Sequence, residues 1–472
     1  MNRALLFKSI IVAFLMLVIL IPLKMVGNTV DERNASRDEA TRSVWASYAG
    51  PQTVTGPVLV VPYTETIDGP DPSDSKHPDL SVLHIERKQV LVFPKTLAIK
   101  SDVKPNERYR GIYKVLVYEM QSQWDGTIEL PDLNQLPLSP GHQRFDIGQP
   151  YLSIGVSDIR GLMAVPVLNV GGKKLTMERG PQLSSLKQGL HADIDLGAAT
   201  SAANAPRTVP FSMTLPLLGA QTLAFAPIAE QNDVTVSSSW AHPSFDGAFL
   251  PRTRDISDKG FNAKWDITSY NTKARDQISA TSPNPGDDPI EAMSVTLMDP
   301  INVYVQTDRA MKYGVLFVLL TFTGFFMFEL IKQLRIHPIQ YLLVGLSLAL
   351  FFLLLLSLSE HMVFILAYLI ASTGCIGLLG FYLTFVLHSW KRGVGFGVLL
   401  TILYGALYGL LQSEDNALIL GSLLLFAILA TIMLLTRRID WYAVGEAWQP
   451  LREVRAAVEG SAAATDAKGT RD

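Results

Sequence analysis

Five long apolar runs follow one another in the last third of the chain. They cover residues 313–332, 339–358, 362–387, 394–412 and 417–436, and short polar connectors separate them. A bilayer core about 30 Å thick needs about 20 helical residues at 1.5 Å each, which is close to the length of every run. The pattern therefore predicts a five-helix transmembrane bundle over residues 308–442. The tail at 443–472 is predicted to be disordered.

A further apolar run stands near the amino terminus, at residues 9–23, behind Arg3 and Lys8. This start is typical of a cleaved signal peptide or of a retained anchor. No Ala-x-Ala pattern stands near the expected cleavage point, which favours a retained transmembrane anchor at 1–27. A charged, amphipathic helix is predicted to follow at 28–50.

Residues 51–307 have a different sequence pattern. Short β-branched and aromatic runs alternate there with Pro, Gly, Asn and Asp. Such punctuation predicts a mostly antiparallel, sandwich-like β domain, or two packed sandwiches. The fold class is therefore membrane α plus soluble β, with an N-terminal transmembrane helix, a large β domain and a C-terminal five-helix bundle.

The basic residues of the short connectors predict the orientation of the chain in the membrane. Lys and Arg gather before the first span and after alternate spans of the bundle, at Arg3, Lys8, Lys332, Arg335, Lys391, Arg392, Arg437 and Arg438. The opposite connectors carry Glu360, His361, Glu414 and Asp415. The rule is not perfectly kept, because Lys24, Arg309 and Lys312 flank the outer ends. It still predicts that both termini are cytoplasmic and that residues 28–307 lie on the opposite side of the membrane.

Charge and cysteine content narrow the range of partners. The 40 basic residues nearly balance the 43 acidic ones, so nothing attracts the chain to nucleic acid, and the lipid bilayer is its one evident partner. The single cysteine, Cys375, lies inside an apolar run and is interpreted as a packing residue. Disulfides therefore play no part in the predicted fold.

One carboxylate lies within the apolar runs, and it needs a reason, because a charge at a helix centre costs about 2.5–3.5 kcal/mol. This is Glu329, near the predicted inner end of its run. It is interpreted either as half of an ion pair with Lys332 or Arg335 or as a buried functional carboxylate. Nearby, His337 is interpreted as an interfacial residue or as the cap of the helix that Pro338 begins.

A second group of polar residues is predicted to share the outer membrane level. Its members enter the first run of the bundle or occupy the outer connectors: Asp308, Arg309, Glu360, His361, Gln412 and Asp415. These residues are interpreted as a surface that docks the β domain or as the lining of an entrance. Polar residues belong at the interface in any case, which favours docking.

Motifs of the common catalytic and metal sites are missing from the sequence. It contains no His-Glu-x-x-His, no phosphate-binding Gly-Lys-Ser/Thr loop, no Gly-x-Ser-x-Gly and no Cys/His set with metal-ligand spacing. We therefore expect a protein that is not an enzyme, with no catalytic, cofactor-binding or metal residues.

Several longer strings resemble the CreD family of bacterial inner-membrane proteins, which is linked to cell-envelope integrity. They are GVSDIRG at 155–161, WAHPSFDGAFLP at 240–251, TDRAMKY at 307–313, HPIQYLLVGLSL at 337–348, LSEH at 358–361 and RIDWY at 438–442. The resemblance covers nearly the whole chain. It implies a location in the inner membrane, with an N-terminal span, a periplasmic domain at about 28–307 and a C-terminal bundle. It also implies an envelope-stress role under a two-component system. It implies no catalytic residue. The 240–251 string is itself interpreted as an aromatic corner of the β domain.

The leading functional hypothesis is a non-enzymatic factor for envelope integrity or envelope stress, whose β domain meets an unknown periplasmic partner. The alternative is a transporter or channel for a small solute or a lipid-linked molecule, with Glu329 and the outer polar residues beside its route. Few polar groups in the centres of the runs, and no visible repeat, speak against that alternative. A membrane enzyme using Glu360, His361 or Asp415 ranks last.

Overall fold

The structure is a computed structural model. It describes residues 3–70, 81–132, 137–139, 142–195, 207–280, 289–299, 303–332, 336–387, 389–412 and 417–437. Two compact units share the chain. The first, which we call the helical unit, combines Met1–Ser36 with Ile301–Asp472. The second is Arg37–Pro300 and contains the β domain. The predicted tail at 443–472 lies outside the described residues.

The helices match the predicted order of an N-terminal helix followed, after the β region, by a C-terminal bundle. Their bounds are α1 Arg3–Ser47, α2 Ala274–Ser279, α3 Val303–Lys332, α4 Pro338–Ser359, α5 Phe364–Val386, α6 Trp390–Gln412 and α7 Ala417–Thr436. In the part of the chain that is described, α1, α3, α4, α5 and α6 are long and apolar enough to cross a membrane. Helix α7 carries a shorter apolar stretch, Ile419–Leu434.

Helix α1 packs into the helical unit along one stripe. Its buried positions recur at helical spacing, at Val12, Ile19, Leu23, Val26 and Val30. Helix α1 comes close to α4 at Gly345, where an added Cβ would lie 2.5 Å from Ile19 Cγ1. A glycine on α4 therefore makes room for the branched side chain of α1.

The first turn of α4 shows how local sequence sets a helix boundary. Ile339 N–H donates to His337 Nδ1 at 3.3 Å, and His337 N–H donates to Gln340 Oε1 at 3.0 Å. Pro338 occupies the first turn, where its missing N–H leaves no bond unmade. The predicted capping role of His337 is confirmed.

The β domain is built from short and long strands in chain order. They are β1 Gln52–Pro70, β2 Ser81–Val92, β3 Thr96–Arg110, β4 Tyr113–Leu130, β5 His142–Ile147, β6 Tyr151–Val156, β7 Val167–Val170, β8 Lys173–Thr176, β9 Glu178–Arg179, β10 Gly189–Asp193, β11 Arg207–Ala220, β12 Thr222–Phe225, β13 Gln231–Ser238, β14 Pro243–Gly247, β15 Thr253–Ser257, β16 Gly260–Thr268 and β17 Met293–Leu297.

These strands form two sheets. The first has the order β14-β17-β12-β1-β6-β10-β9, with β2 and β5 also paired to β1, and the second has the order β15-β16-β13-β3-β4-β11-β7-β8. The predicted mostly antiparallel sandwich is confirmed, with two parallel pairs, β1 with β12 and β3 with β13. One core serves both sheets: the rings of Trp124 and Phe225, one from each sheet, meet edge to face at 5.9 Å. The domain is thus one sandwich rather than two.

The aromatic corner expected at 240–251 is present. Trp240 Nε1 donates to Met298 O at 2.8 Å, and the Phe245 ring meets Phe261 and Trp265 edge to face, each at 5.8 Å. These side chains fill the end of the sandwich, so this string serves packing.

Candidate functional site

Glu329 is fully buried, and its carboxylate is surrounded by donors from three parts of the helical unit. Tyr341 Oη donates to Oε2 at 2.6 Å, and the Ile336 N–H donates to Oε1 at 2.8 Å. Lys8 of α1 forms an ion pair with Oε1 and also donates to Ile336 O at 3.1 Å. The carboxylate therefore joins α1, α3 and α4.

Among the described residues, the ion-pair partner of Glu329 is Lys8, and the predicted pairing with Lys332 or Arg335 stays a prediction. The side chain of Lys332 and the whole of Arg335 lie outside what the structure describes. Glu329 combines burial with an ion pair, which is how a charge inside a bundle is made tolerable. A functional role for Glu329 stays a prediction.

Glu360 has partners on two other helices. Arg33 Nε lies 3.4 Å from Glu360 Oε1, and Tyr304 Oη donates to the same oxygen at 3.4 Å. The carboxylate is 10% exposed and the Arg33 side chain 45% exposed. Glu360 thus connects α1, α3 and the end of α4.

Two of the other predicted members of the outer polar group have partners on their own helices. Asp308 pairs with Lys312, one turn along α3, at 2.7 Å, and Gln412 Nε2 donates to Tyr408 Oη on its own helix at 2.6 Å. His361 is exposed and Arg309 half-buried, and Asp415 lies outside the described residues. The single six-residue cluster stays a prediction.

The two ion pairs of α1 lie on either side of its apolar stretch. Lys8 and Arg33 are about 37 Å apart along the helix at 1.5 Å per residue, slightly more than the hydrocarbon core of about 30 Å. Lys8 thus directly precedes the apolar run at 9–23, and Arg33 lies ten residues beyond its end. In the same unit Cys375 is buried, with Sγ 3.7 Å from Ser347 O, as its interpretation as a packing residue predicts.

A separate candidate site lies in the β domain, as an open groove of about 660 Å³. The chain segments around it are the loop before β1, the turn after β6 and the loop between β9 and β10. Its lining consists of Gly50, Pro51, Ser157, Asp158, Ile159, Arg160, Arg179, Gly180, Pro181, Lys187, Gln188 and Gly189. This volume is typical of small-molecule binding sites.

The turn after β6 forms one wall of the groove and consists of the last residues of the 155–161 string. Gln52 is buried, and its side chain donates to Asp158 O and accepts from Asp158 N–H, at 3.0 and 3.2 Å. A Cβ on Gly161 would lie 2.5 Å from Gln52 Nε2, so glycine is required for this close approach. The string therefore fixes the position of the wall.

Asp158 and Arg160 connect this wall to the end of α1. The Arg160 guanidinium binds both oxygens of Asp158, at 2.9 and 2.6 Å, and also donates to the last-turn carbonyls of Trp45 and Ala46. Gly50 N–H donates to Asp158 Oδ2 at 3.2 Å. The hydrogen bonds from Arg160 keep the pKa of Asp158 below its usual value, although partial burial opposes this.

The loop between β9 and β10 forms the opposite wall. The two ends of this loop are joined by a hydrogen bond from Gly180 N–H to Gly189 O at 2.9 Å. Ser153 Oγ donates to Pro181 O at 2.6 Å and Tyr151 Oη to Gln182 O at 2.8 Å. Two loop leucines, Leu183 and Leu186, are buried in a small apolar cluster. This wall is therefore held in place before any ligand arrives.

Sequence reasoning missed the groove and the partners of the buried carboxylates. The sequence analysis interprets Lys8 only as a charge before the first span and does not single out Arg33, and Arg179 and Lys187 stand in no recognised motif. The 155–161 string was the one signal for this region. Within the described ranges, no group of three or more His, Cys, Asp or Glu side chains is placed to hold a metal ion.

Comparison with known proteins identifies the family. The profile of the family described as "Inner membrane protein CreD" matches residues 4–442. The Inner membrane protein CreD of Escherichia coli strain K12 is 35% identical over 432 residues, covering 90% of this chain and 91% of that protein.

Two solved structures show a slight similarity to this chain. Two crystal structures of an M1 zinc metallopeptidase from Deinococcus radiodurans, one of them a mutant bound to a peptide substrate, each cover 43% of this chain and 42% of their own. Their TM-score is 0.21, and their identities are 9% and 10%. Sequence, order of elements and apolar helices agree on one assignment: the chain belongs to the CreD family of inner membrane proteins.

Proposed function

We propose that this protein is a non-enzymatic factor for cell-envelope integrity and the response to envelope stress. Its β domain lies on the periplasmic side and meets a partner in the envelope, and both termini are cytoplasmic. The helical unit holds the β domain at the membrane and carries out no chemistry of its own.

The observation that carries this proposal is the fixation of α1 in the helical unit. Lys8 and Arg33, which lie on either side of the apolar stretch of α1, form ion pairs with Glu329 and Glu360. The same helix continues to Ser47, where Arg160 of the β domain binds its last carbonyls. A helix held in this way suits a firm attachment of a sensing or binding domain.

The surroundings of Glu329 also favour attachment over transport. Its two oxygens are occupied by Lys8, Ile336 and Tyr341, so the carboxylate is engaged in joining helices. A coupling carboxylate of a transporter must exchange partners as its substrate moves. Replacing Glu329 and Glu360 by Gln at normal protein levels should therefore leave solute uptake by cells unchanged.

Cysteine labelling tests the orientation. Lys100 is exposed on β3 and Lys391 is exposed at the start of α6. Each is replaced by Cys in a Cys375→Ser background, and spheroplasts are treated with a membrane-impermeant maleimide. Lys100→Cys should react in intact spheroplasts, whereas Lys391→Cys should react only after permeabilisation. The reverse pattern would refute the proposed topology.

Partner capture tests the function. A photoreactive residue at Lys100 or at Lys187, both exposed in the β domain, is activated in intact cells. The same residue at Phe381, an exposed apolar position of α5, serves as the control. A crosslinked envelope component specific to the β-domain positions supports the proposal. Crosslinking to lipid alone at every position contradicts it.

A further inference from the structure

The residues that line the groove in the β domain carry more positive than negative charge. Arg160, Arg179 and Lys187 line it, and Asp158 is its one lining carboxylate. Asp158 is already engaged by Arg160 and by Gly50 N–H. Its charge is therefore neutralised locally.

Two cations remain for a ligand. Arg179 and Lys187 are exposed, and neither forms an ion pair with a described carboxylate. Glu178 precedes Arg179, but its carboxylate lies 4.0 Å from His191 Nε2. The groove thus presents one guanidinium and one ammonium group without counter-charges.

The backbone positions of Arg179 and Lys187 are fixed by the loop that carries them. Arg179 immediately precedes Gly180, which is hydrogen-bonded to Gly189 at the other end of the loop. Lys187 follows Leu186, which is buried. Gln188 of the same loop accepts through Oε1 from Ile159 N–H of the facing wall at 3.1 Å, which joins the two sides of the groove. A ligand would meet a prepared surface and would not have to order a loose loop.

We propose that this groove binds a ligand bearing an oxyanion, a carboxylate or a phosphate, with the acid group between Arg179 and Lys187. Charge-assisted hydrogen bonds from guanidinium and ammonium groups match such oxygens in both charge and geometry. The volume of about 660 Å³ leaves room beside the acid group for a short peptide or a sugar. This site deepens the proposed function, since the partner would offer its acid group here, and it depends on that proposal for access to the envelope.

The test uses the purified full-length protein in lipid nanodiscs. The probes are glycerol phosphate, the dipeptide acetyl-Ala-Ala with its free carboxylate, and the neutral acetyl-Ala-Ala amide. Binding is followed by the rate at which an amine-reactive ester modifies Lys187, read by mass spectrometry, with Lys100 as the internal control. Glycerol phosphate, acetyl-Ala-Ala or both should protect Lys187 in a saturable way, and the amide should not. Which of the two acids protects identifies phosphate or carboxylate as the source.

Variants separate the groove from the general charge of the domain. Arg179→Gln should weaken the binding that protects Lys187 by about tenfold, because one charge-assisted contact is lost. Arg254→Gln removes an exposed arginine of β15, in the other sheet, and should change the affinity by less than about twofold. Equal effects of the two variants, or no protection by either acid up to millimolar concentrations, would overturn the proposal. This binding needs no particular orientation in a cell, so its failure is distinguishable from a failed labelling experiment.

Discussion

Tyr341 Oη donates a 2.6 Å hydrogen bond to Oε2 of the fully buried Glu329 and so ties α4 to α3. Lys8 of α1 forms an ion pair with the other carboxylate oxygen. A charge in a low-dielectric interior is stable only when its partners are in place, so the three helices depend on one another at this point. Helix α1 is thereby an integral part of the helical unit.

Breaking this pair should destabilise the helical unit strongly. Glu329→Gln leaves Lys8, whose side chain is only 15% exposed, without its counter-charge. We expect a loss of about 3 kcal/mol in the free energy of unfolding, since removing one partner of a buried pair strands the other. Lys8→Gln should cost a similar amount, and the double variant should cost less than the sum. Thermal unfolding of the purified protein in detergent measures each value.

The pair Asp308 and Lys312 offers a control on the same helix. Their side chains are 37% and 71% exposed, so Asp308→Asn should cost less than about 0.5 kcal/mol. If Glu329→Gln were as mild as Asp308→Asn, the buried pair would not hold the helices together.

The contact between Ile19 and Gly345 gives a steric prediction. A Cβ at Gly345 meets Ile19 Cγ1 at 2.5 Å, whereas a Cβ at Gly397 of α6 meets nothing within 4 Å. Gly345→Leu should therefore destabilise the protein by about 1–3 kcal/mol through overpacking, and Gly397→Leu should not. Unfolding of the two variants in the same detergent compares them directly. Equal stabilities would mean that α1 does not pack on α4 as described.

The ion pair between Arg33 and Glu360 should behave differently from the pair between Lys8 and Glu329. Arg33 is 45% exposed and lies 3.4 Å from Glu360 Oε1, so water already screens much of its charge. Arg33→Gln should cost no more than about 1 kcal/mol, and that cost should shrink as salt is added. Unfolding at low and high ionic strength checks this. A large, salt-independent loss would place this pair in a dry interior instead.

The order of elements could be predicted because it rests on local signals. Apolar runs near 20 residues, turn residues between short strands and the His337-Pro338 cap each act over a few positions. The partner of Glu329 could not be predicted, because Lys8 is far away in the chain and nearer cations were present. The groove could not be predicted for the same reason, because Arg179, Lys187 and the 155–161 string are brought together only by the pairing of strands that are distant in the chain. The parallel pairs of β1 with β12 and of β3 with β13 likewise depend on long-range topology.

The link between Asp158 and Arg160 predicts a loss of stability in acid. Hydrogen bonds from Arg160 and from Gly50 N–H lower the pKa of the Asp158 carboxyl in the folded protein. Its stabilising contribution is therefore complete above the unfolded pKa of about 3.9 and is lost as the pH falls from there through the folded pKa. Asp158→Asn removes this titration, so the variant should be less stable than the wild type at neutral pH and should approach it in acid. Asp255→Asn, at an exposed position of β15, should follow the wild-type profile. Unfolding midpoints measured from neutral pH down to about pH 3 give the three curves. An Asp158→Asn curve that coincides with the wild type at every pH would show that this carboxylate does not secure the end of α1.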